Sequence, residues 1–280
     1  MWMRTKVALA WLGLVGCAAL ALPAAAAGST DPAKAAAVDD SLFHPWMFPP
    51  PQRSPSAYFS NLQDGAQVES PFVARFGLSM RGVVPAGHKV GLAGHHHLLL
   101  NQELPLDFTK PLPFTANYIH FGKGQMETVL DLPPGVYTLR LVLADQGHIP
   151  YFVYSKPLKL TVTQRKPGVA PADVVGLPRV EMLGVADGAL QQPPFRLVFH
   201  ASGFNIAPVA AQLPDTHYFR LVLNRPGAKP EVLSFKSGQT EAWLNPPKGA
   251  YTAQLELVRN ATSPEAVVAR TQPTAFTVGP

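Results

Sequence analysis

The sequence predicts an all-β protein: two tandem immunoglobulin-like antiparallel β-sandwich domains after a cleaved signal peptide and an extended Pro-rich arm. Three observations carry this expectation. Apolar residues alternate or run in short β-branched and aromatic bursts, as in FVARFGLS, VYTLRLVLA and HYFRLVLN, and no segment repeats at a helical period. Turn chemistry is dense: 30 prolines and 22 glycines fall largely between the apolar runs of a 280-residue chain. The chain also repeats itself, since DGAQVESPFVARFGLS (64–79) aligns with DGALQQPPFRLVFHAS (187–202).

In chain order, residues 1–27 read as a secretory signal. Arg4 and Lys6 precede the apolar run VALAWLGLVGCAALAL, and PAAAAG supplies a small-residue cleavage zone. The apolar run, Val7–Leu22, is 16 residues, short of the ~20 that span a bilayer. LVGC also fits a lipobox, so lipid anchoring through Cys17 stands as the alternative to signal-peptidase cleavage near Ala26–Gly28. Both routes place the mature chain outside the cytoplasm, periplasmic or secreted, without a transmembrane span. Residues 28–55 form an arm whose Phe43, Trp46 and Phe48 are candidates to dock on a domain.

The repeat sets the domain boundaries in the rest of the chain. From Asp64 to Asn101 the two copies align without a gap at an offset of 123, and FGKGQMETVLDLPPGVYTLRL (121–141) aligns with FKSGQTEAWLNPPKGAYTAQL (235–255) at an offset of 114. The first copy therefore carries nine residues more between Asn101 and Gly124. We place the first sandwich at 56–163, a Pro/Ala/Val linker at 164–177 and a degenerate second sandwich at 178–280. LPPG and PPKG supply tight turns before the YT strands.

Charge and cysteine usage exclude several functions. A formal charge of +5 is spread without a Lys/Arg cluster apart from the short QRK at 164–166, so there is no footprint for nucleic acid. A single cysteine permits neither a disulfide nor a thiolate metal site. Lys123 in GKG lacks the frame of a phosphate loop. Asp64 and Asp187 read as turn residues, and Glu127 and Asp131 as occupants of an exposed strand face.

Histidine remains. Nine are present, and five of them, all in the first copy, stand at His95, His96, His97, His120 and His148. On a strand, His95 and His97 project from one face and His96 from the other. With His120 and His148 they form a candidate set of four imidazoles for copper or zinc, without thiolate. Asp145 is placed either to orient His148 or to cap its turn. The copies argue that the fold does not need these imidazoles. The second copy has Tyr218, Phe219, Arg220 and Ser234 at positions matching His95, His96, His97 and His120, yet it retains Gly238, Gln239, Pro247 and Gly249.

The blocks GHHHLLL, IHFGKGQMETVLDLPPGVYTLRLVLAD, HIP and VYSKPLKLTV, in this order, resemble the family called domain of unknown function 4399 over about 57–163. The second copy resembles a degenerate relative. The resemblance implies an extracytoplasmic domain and no particular activity. It also implies two departures: relatives tend toward His-x-His where this chain has Tyr118-Ile119-His120, and toward a second histidine where it has Tyr151.

The expected function is a secreted or periplasmic binding protein whose first sandwich holds a transition metal or a small polar ligand. The alternative is a structural or protein-interaction module of the cell envelope, with an envelope protein as partner. A metal-dependent hydrolase ranks last, because no nucleophile or general base stands at a typical spacing from the histidines.

Overall fold

The computed structural model describes residues 44–104, 107–261 and 264–279. The signal segment 1–27, Cys17 and the arm up to Phe43 lie outside the described residues. Among the described residues, no helix is long and apolar enough to cross a membrane.

Each copy folds as a sandwich of a three-stranded and a six-stranded sheet. The first copy contains β1 (Ser56–Phe59), β2 (Ala66–Ser70), β3 (Phe72–Ser79), β4 (His95–Leu100), β5 (Tyr118–Phe121), β6 (Glu127–Leu130), β7 (Gly135–Ala144), β8 (Pro150–Tyr154) and β9 (Leu158–Arg165). The second contains β10 (Arg179–Leu183), β11 (Ala189–Gln191), β12 (Phe195–Ser202), β13 (His217–Asn224), β14 (Glu231–Phe235), β15 (Glu241–Leu244), β16 (Gly249–Arg259), β17 (Val267–Arg270) and β18 (Thr274–Val278). The small sheets run β1-β3-β6 and β10-β12-β15. The large ones run β2-β9-β7-β4-β5, with β8 on β7, and β11-β18-β16-β13-β14, with β17 on β16. The pairing of these strands is antiparallel except for β2–β9 and β11–β18, which are parallel at the same place in both copies.

The alternation that predicted strands also fills the core. Ala74, Phe76 and Leu78 of β3 and Leu139, Leu141 and Leu143 of β7 point inward and are fully buried or nearly so. Phe76 packs on Phe121 with ring centroids 4.8 Å apart, and the repeat-equivalent Phe199 packs on Phe235 at 4.7 Å. A third ring completes each cluster: His96 lies 5.3 Å from Phe76, where the second copy has Phe219 at 5.4 Å from Phe199.

The copies meet across a pseudo-two-fold interface. The Val83 N–H donates to the Gly238 carbonyl at 2.8 Å, and the repeat-equivalent Ile206 N–H donates to the Gly124 carbonyl at 2.8 Å. Both glycines adopt left-handed φ, +86° for Gly124 and +78° for Gly238, and a Cβ on either would press into the facing backbone. The segments leading into each copy are exchanged. Trp46 is buried on the second copy, Met47 bridges Leu244, and the Phe48 N–H donates to the Trp243 carbonyl at 2.9 Å. The 3₁₀ turn Pro171–Val174 ahead of the second copy packs in turn on β3 and β6 of the first.

Glu127 departs from the expected exposed strand face. Its carboxylate accepts from His200 at 3.0 Å and from the Ser202 hydroxyl, beside Arg75, at an inter-copy seam where its side chain is only 9% exposed. Burial pushes its carboxyl up, but the His200, Ser202 and Arg75 partners outweigh this and hold it below the usual glutamate range. Asp131 lies exposed as expected and pairs with Arg165.

Candidate metal centre

Strand β4 sorts its residues by face. Leu98 and His96 enter the inter-sheet core. His95, His97 and Leu99 face outward, where Leu99, Val142, Ala144 and Leu112 form a separate small apolar cluster. Leu112 belongs to the segment that only the first copy inserts, and that segment covers this outer face. The outward histidines are consequently fully buried although they lie outside the sandwich core.

Two further elements close the site. His120 on β5 stands opposite His97 in the antiparallel register, and His95 stands opposite Ala144 at the end of β7. There the chain turns through 145–149 and returns His148, whose φ of +67° and N–H bond to the Asp145 carbonyl at 3.0 Å fix the turn. Asp145 is the cap of that turn: its Oδ1 accepts from the Gly147 N–H at 2.8 Å and the Ile149 N–H at 2.9 Å. The Leu112 N–H donates to the His148 carbonyl at 2.9 Å, so the inserted segment also holds this loop.

The structure brings all four sequence-predicted histidines together. Their ligand atoms lie within 4.8 Å of one another. All six ring-centroid separations fall between 4.8 and 5.8 Å. The Nε2 atoms of His95 and His97 are 3.0 Å apart. The Nδ1 atoms of His95, His97 and His148 and the Nε2 of His120 are buried without a hydrogen-bond partner among the described residues. Unpaired buried polar nitrogens are costly and call for a ligand or a proton network to occupy them.

The electrostatics keep His95 and His97 neutral. Burial, reinforced by the neighbouring rings, lowers His95 to about 3 and His97 to about 2. Burial and then His148 also lower His120. Neutral imidazole is the form that ligates metal.

A nitrogen ligand stands about 2.0–2.1 Å from zinc, so two ligands of one ion lie at most about 4.2 Å apart. In a tetrahedral arrangement they lie about 3.4 Å apart, so the observed spread of up to 4.8 Å closes on an ion by a contraction of up to roughly 1.4 Å. The four imidazoles therefore fit a transition-metal ion.

The second copy shows the same surface without the centre. Tyr218 and Arg220 replace His95 and His97. The Tyr218 hydroxyl donates to Glu265 at 2.8 Å, and Arg220 pairs with Glu256 and Glu265, each at 2.8 Å. Glu256 stands opposite Arg220 where Val142 stands opposite His97. One copy satisfies its polar groups internally, whereas the other leaves them open.

Two contributors escaped sequence reasoning. Phe114, 63% exposed, sits at the mouth with its ring 4.8 Å from His148 and 5.4 Å from His120. The only available signal was its place in the segment unique to the copy that carries the histidines. Gly122 leaves the space that the His120 ring fills, since a Cβ there would lie 2.8 Å from Nε2 and closer still to Cε1. His96 is a core residue, as the matching Phe219 indicates. Tyr118 packs on the small outer cluster and Tyr151 against the main core.

The family profile described as Domain of unknown function (DUF4399) matches residues 74–163 and again 197–278. No curated protein matches the chain. Among solved structures, fibronectin(III)-like modules of Clostridium thermocellum CbhA are similar at 11% identity, covering 79% of this chain and 92% of that chain, with a TM-score of 0.23. A two-domain fibronectin type-III segment of chicken tenascin is similar at 12% identity over 81% of this chain and 99% of that chain, with a TM-score of 0.20. Likeness at this level carries no argument about function, and the fold class rests on the strand pairing within the two sandwiches.

Proposed function

We propose, for a chain that belongs to the DUF4399 family through both of its halves, that the first β-sandwich is a metal-binding module for copper or zinc in an exported protein. His95, His97, His120 and His148 are the ligands, and the second sandwich is their structural partner. The observation that carries this reading is the convergence of four imidazoles, with unpartnered buried nitrogens, at a place where the second copy has an internally satisfied ion-pair network. Exchanged lead segments and a continuous core brace the centre from behind. The signal-like N-terminus supports action in the periplasm or outside the cell, with a lipid anchor at Cys17 as the alternative.

A ligand that binds only the folded state stabilises it by about 2.7 kcal/mol at a hundredfold excess over Kd, which is about 5–10 °C in melting temperature for a protein of this size. Copper or zinc added to untagged protein should produce such a rise in the parent and none in a His95→Ala/His97→Ala variant. Equal melting with and without either metal would argue instead for an envelope interaction module built on the tandem sandwiches.

A further inference from the structure

Building on that metal-site reading, we propose that the centre selects monovalent copper over Cu(II) and Zn(II). The donor set has the shape such an ion accepts. Four points with six nearly equal separations form a tetrahedron, and the ring centroids span only 4.8–5.8 Å. A square of side 4.8 Å would instead have diagonals of about 6.8 Å, and the tetragonal arrangement is the one Cu(II) favours. This array suits an ion with no geometric demand of its own, as d¹⁰ Zn(II) and Cu(I) are.

Charge then separates the two d¹⁰ ions. The Born cost of removing an ion from water grows with the square of its charge, so a dication meets about four times the penalty of a monocation in the same cavity. Zinc sites commonly offset that penalty with a thiolate, a carboxylate or a bound hydroxide. Here the donors are all neutral. The Asp145 carboxylate caps its turn through Oδ1, and the register position that holds Glu256 in the second copy is Val142 in the first. The surroundings are equally apolar: Leu99, Leu112, Val142 and Ala144 form the neighbouring cluster, and the Phe114 ring stands at the mouth where a water would otherwise approach. A monocation needs neither an anion nor a bound hydroxide. An aromatic ring at the opening adds a weak attraction of its own for a desolvated cation.

The test uses untagged full chain. Cu(I) is titrated anaerobically against a chromophoric Cu(I) chelator, and Zn(II) and Cu(II) against indicators of known affinity. One Cu(I) per chain is expected, bound at least about 100-fold more tightly than Zn(II), and weakened about 100-fold or more in His95→Ala/His97→Ala. Far-UV circular dichroism checks that this variant is folded. Val142→Glu, which restores the carboxylate of the second copy, should narrow the preference by about tenfold in favour of Zn(II). Zn(II) or Cu(II) bound as tightly as Cu(I), and lost in the double variant, would overturn the selectivity while leaving the metal site standing. Failure of all three ions to bind at micromolar concentration would overturn both.

Discussion

Replacing Gly122 with alanine separates the metal centre from the fold that carries it. The backbone at Gly122 is not left-handed, so an alanine meets no conformational strain there. By restricting the unfolded chain, Gly→Ala at such a position stabilises a protein by about 0.4–1 kcal/mol. The added Cβ, however, would stand 2.8 Å from Nε2 of His120 and 3.3 Å from the Ala86 Cβ. Ordinary contact begins near 3.5–4.0 Å, and the nearest ring atom, Cε1, would lie only 2.4 Å away, so the imidazole must retreat by about 1.1–1.6 Å. A bound metal holds each ligand atom within about 0.2 Å of its ideal bond length. Losing or misplacing one of four ligands should therefore cost about 10–100-fold in affinity, or about 1.4–2.7 kcal/mol. Competition titration of Gly122→Ala against a chelator, beside a thermal melt without metal, reads both quantities. Weaker metal binding with equal or higher apo stability is expected. Unchanged affinity would show that His120 is not a ligand, and a large loss of apo stability would show that the Gly122 contact serves the fold.

Three further outcomes rest on the same geometry. His96, held at about 3 by burial, and His95 and His97 stay neutral in the folded state, while unfolded imidazoles take up protons near 6.5. Stability of the metal-free protein is thus complete above pH 6.5 and declines as pH falls below it, by about 1.4 kcal/mol per pH unit for each such histidine. Melts between pH 7 and 5 should show this decline, and a flat profile would contradict the buried neutral assignment. His96→Phe places the ring of the second copy in the first and removes two unpartnered nitrogens, so the metal-free protein should gain about 1–3 kcal/mol by chemical denaturation. A loss of stability would mean that His96 has a partner or role the core packing does not reveal. Gly238→Ala, at φ +78° with a Cβ only 3.1 Å from the Val83 nitrogen, should cost about 2–4 kcal/mol in a single melting transition shared by both copies. Melting of one copy alone would show that the interface does not couple them.

Much of this architecture is legible in the sequence because strands encode themselves locally. Alternation in FVARFGLS and VYTLRLVLA marks which residues enter the core, and the internal repeat shows which residues the fold requires. The same comparison separates His95, His97 and His120 from scaffold residues such as Gly124 and Gln125. The inter-copy seam was not legible. Glu127 looks like a surface residue on β6, and only the approach of His200 and Ser202 from the other copy buries it. The exchange of lead segments was equally hidden, since the edge that receives Trp46 lies almost two hundred residues away at Leu244 and Asn245. Phe114 and Leu112 had no pattern to betray them. Their roles come from an irregular segment that lies over the outer face of β4, a placement set by tertiary contact rather than by periodicity.

The central claim is one transition-metal ion on four histidines of the first sandwich. Its most direct test is the metal stoichiometry of untagged protein, loaded with copper or zinc, freed of excess and measured by elemental mass spectrometry. We predict one ion per chain in the parent and none in folded His95→Ala/His97→Ala. A metal-free parent, or equal metal in both proteins, would contradict it.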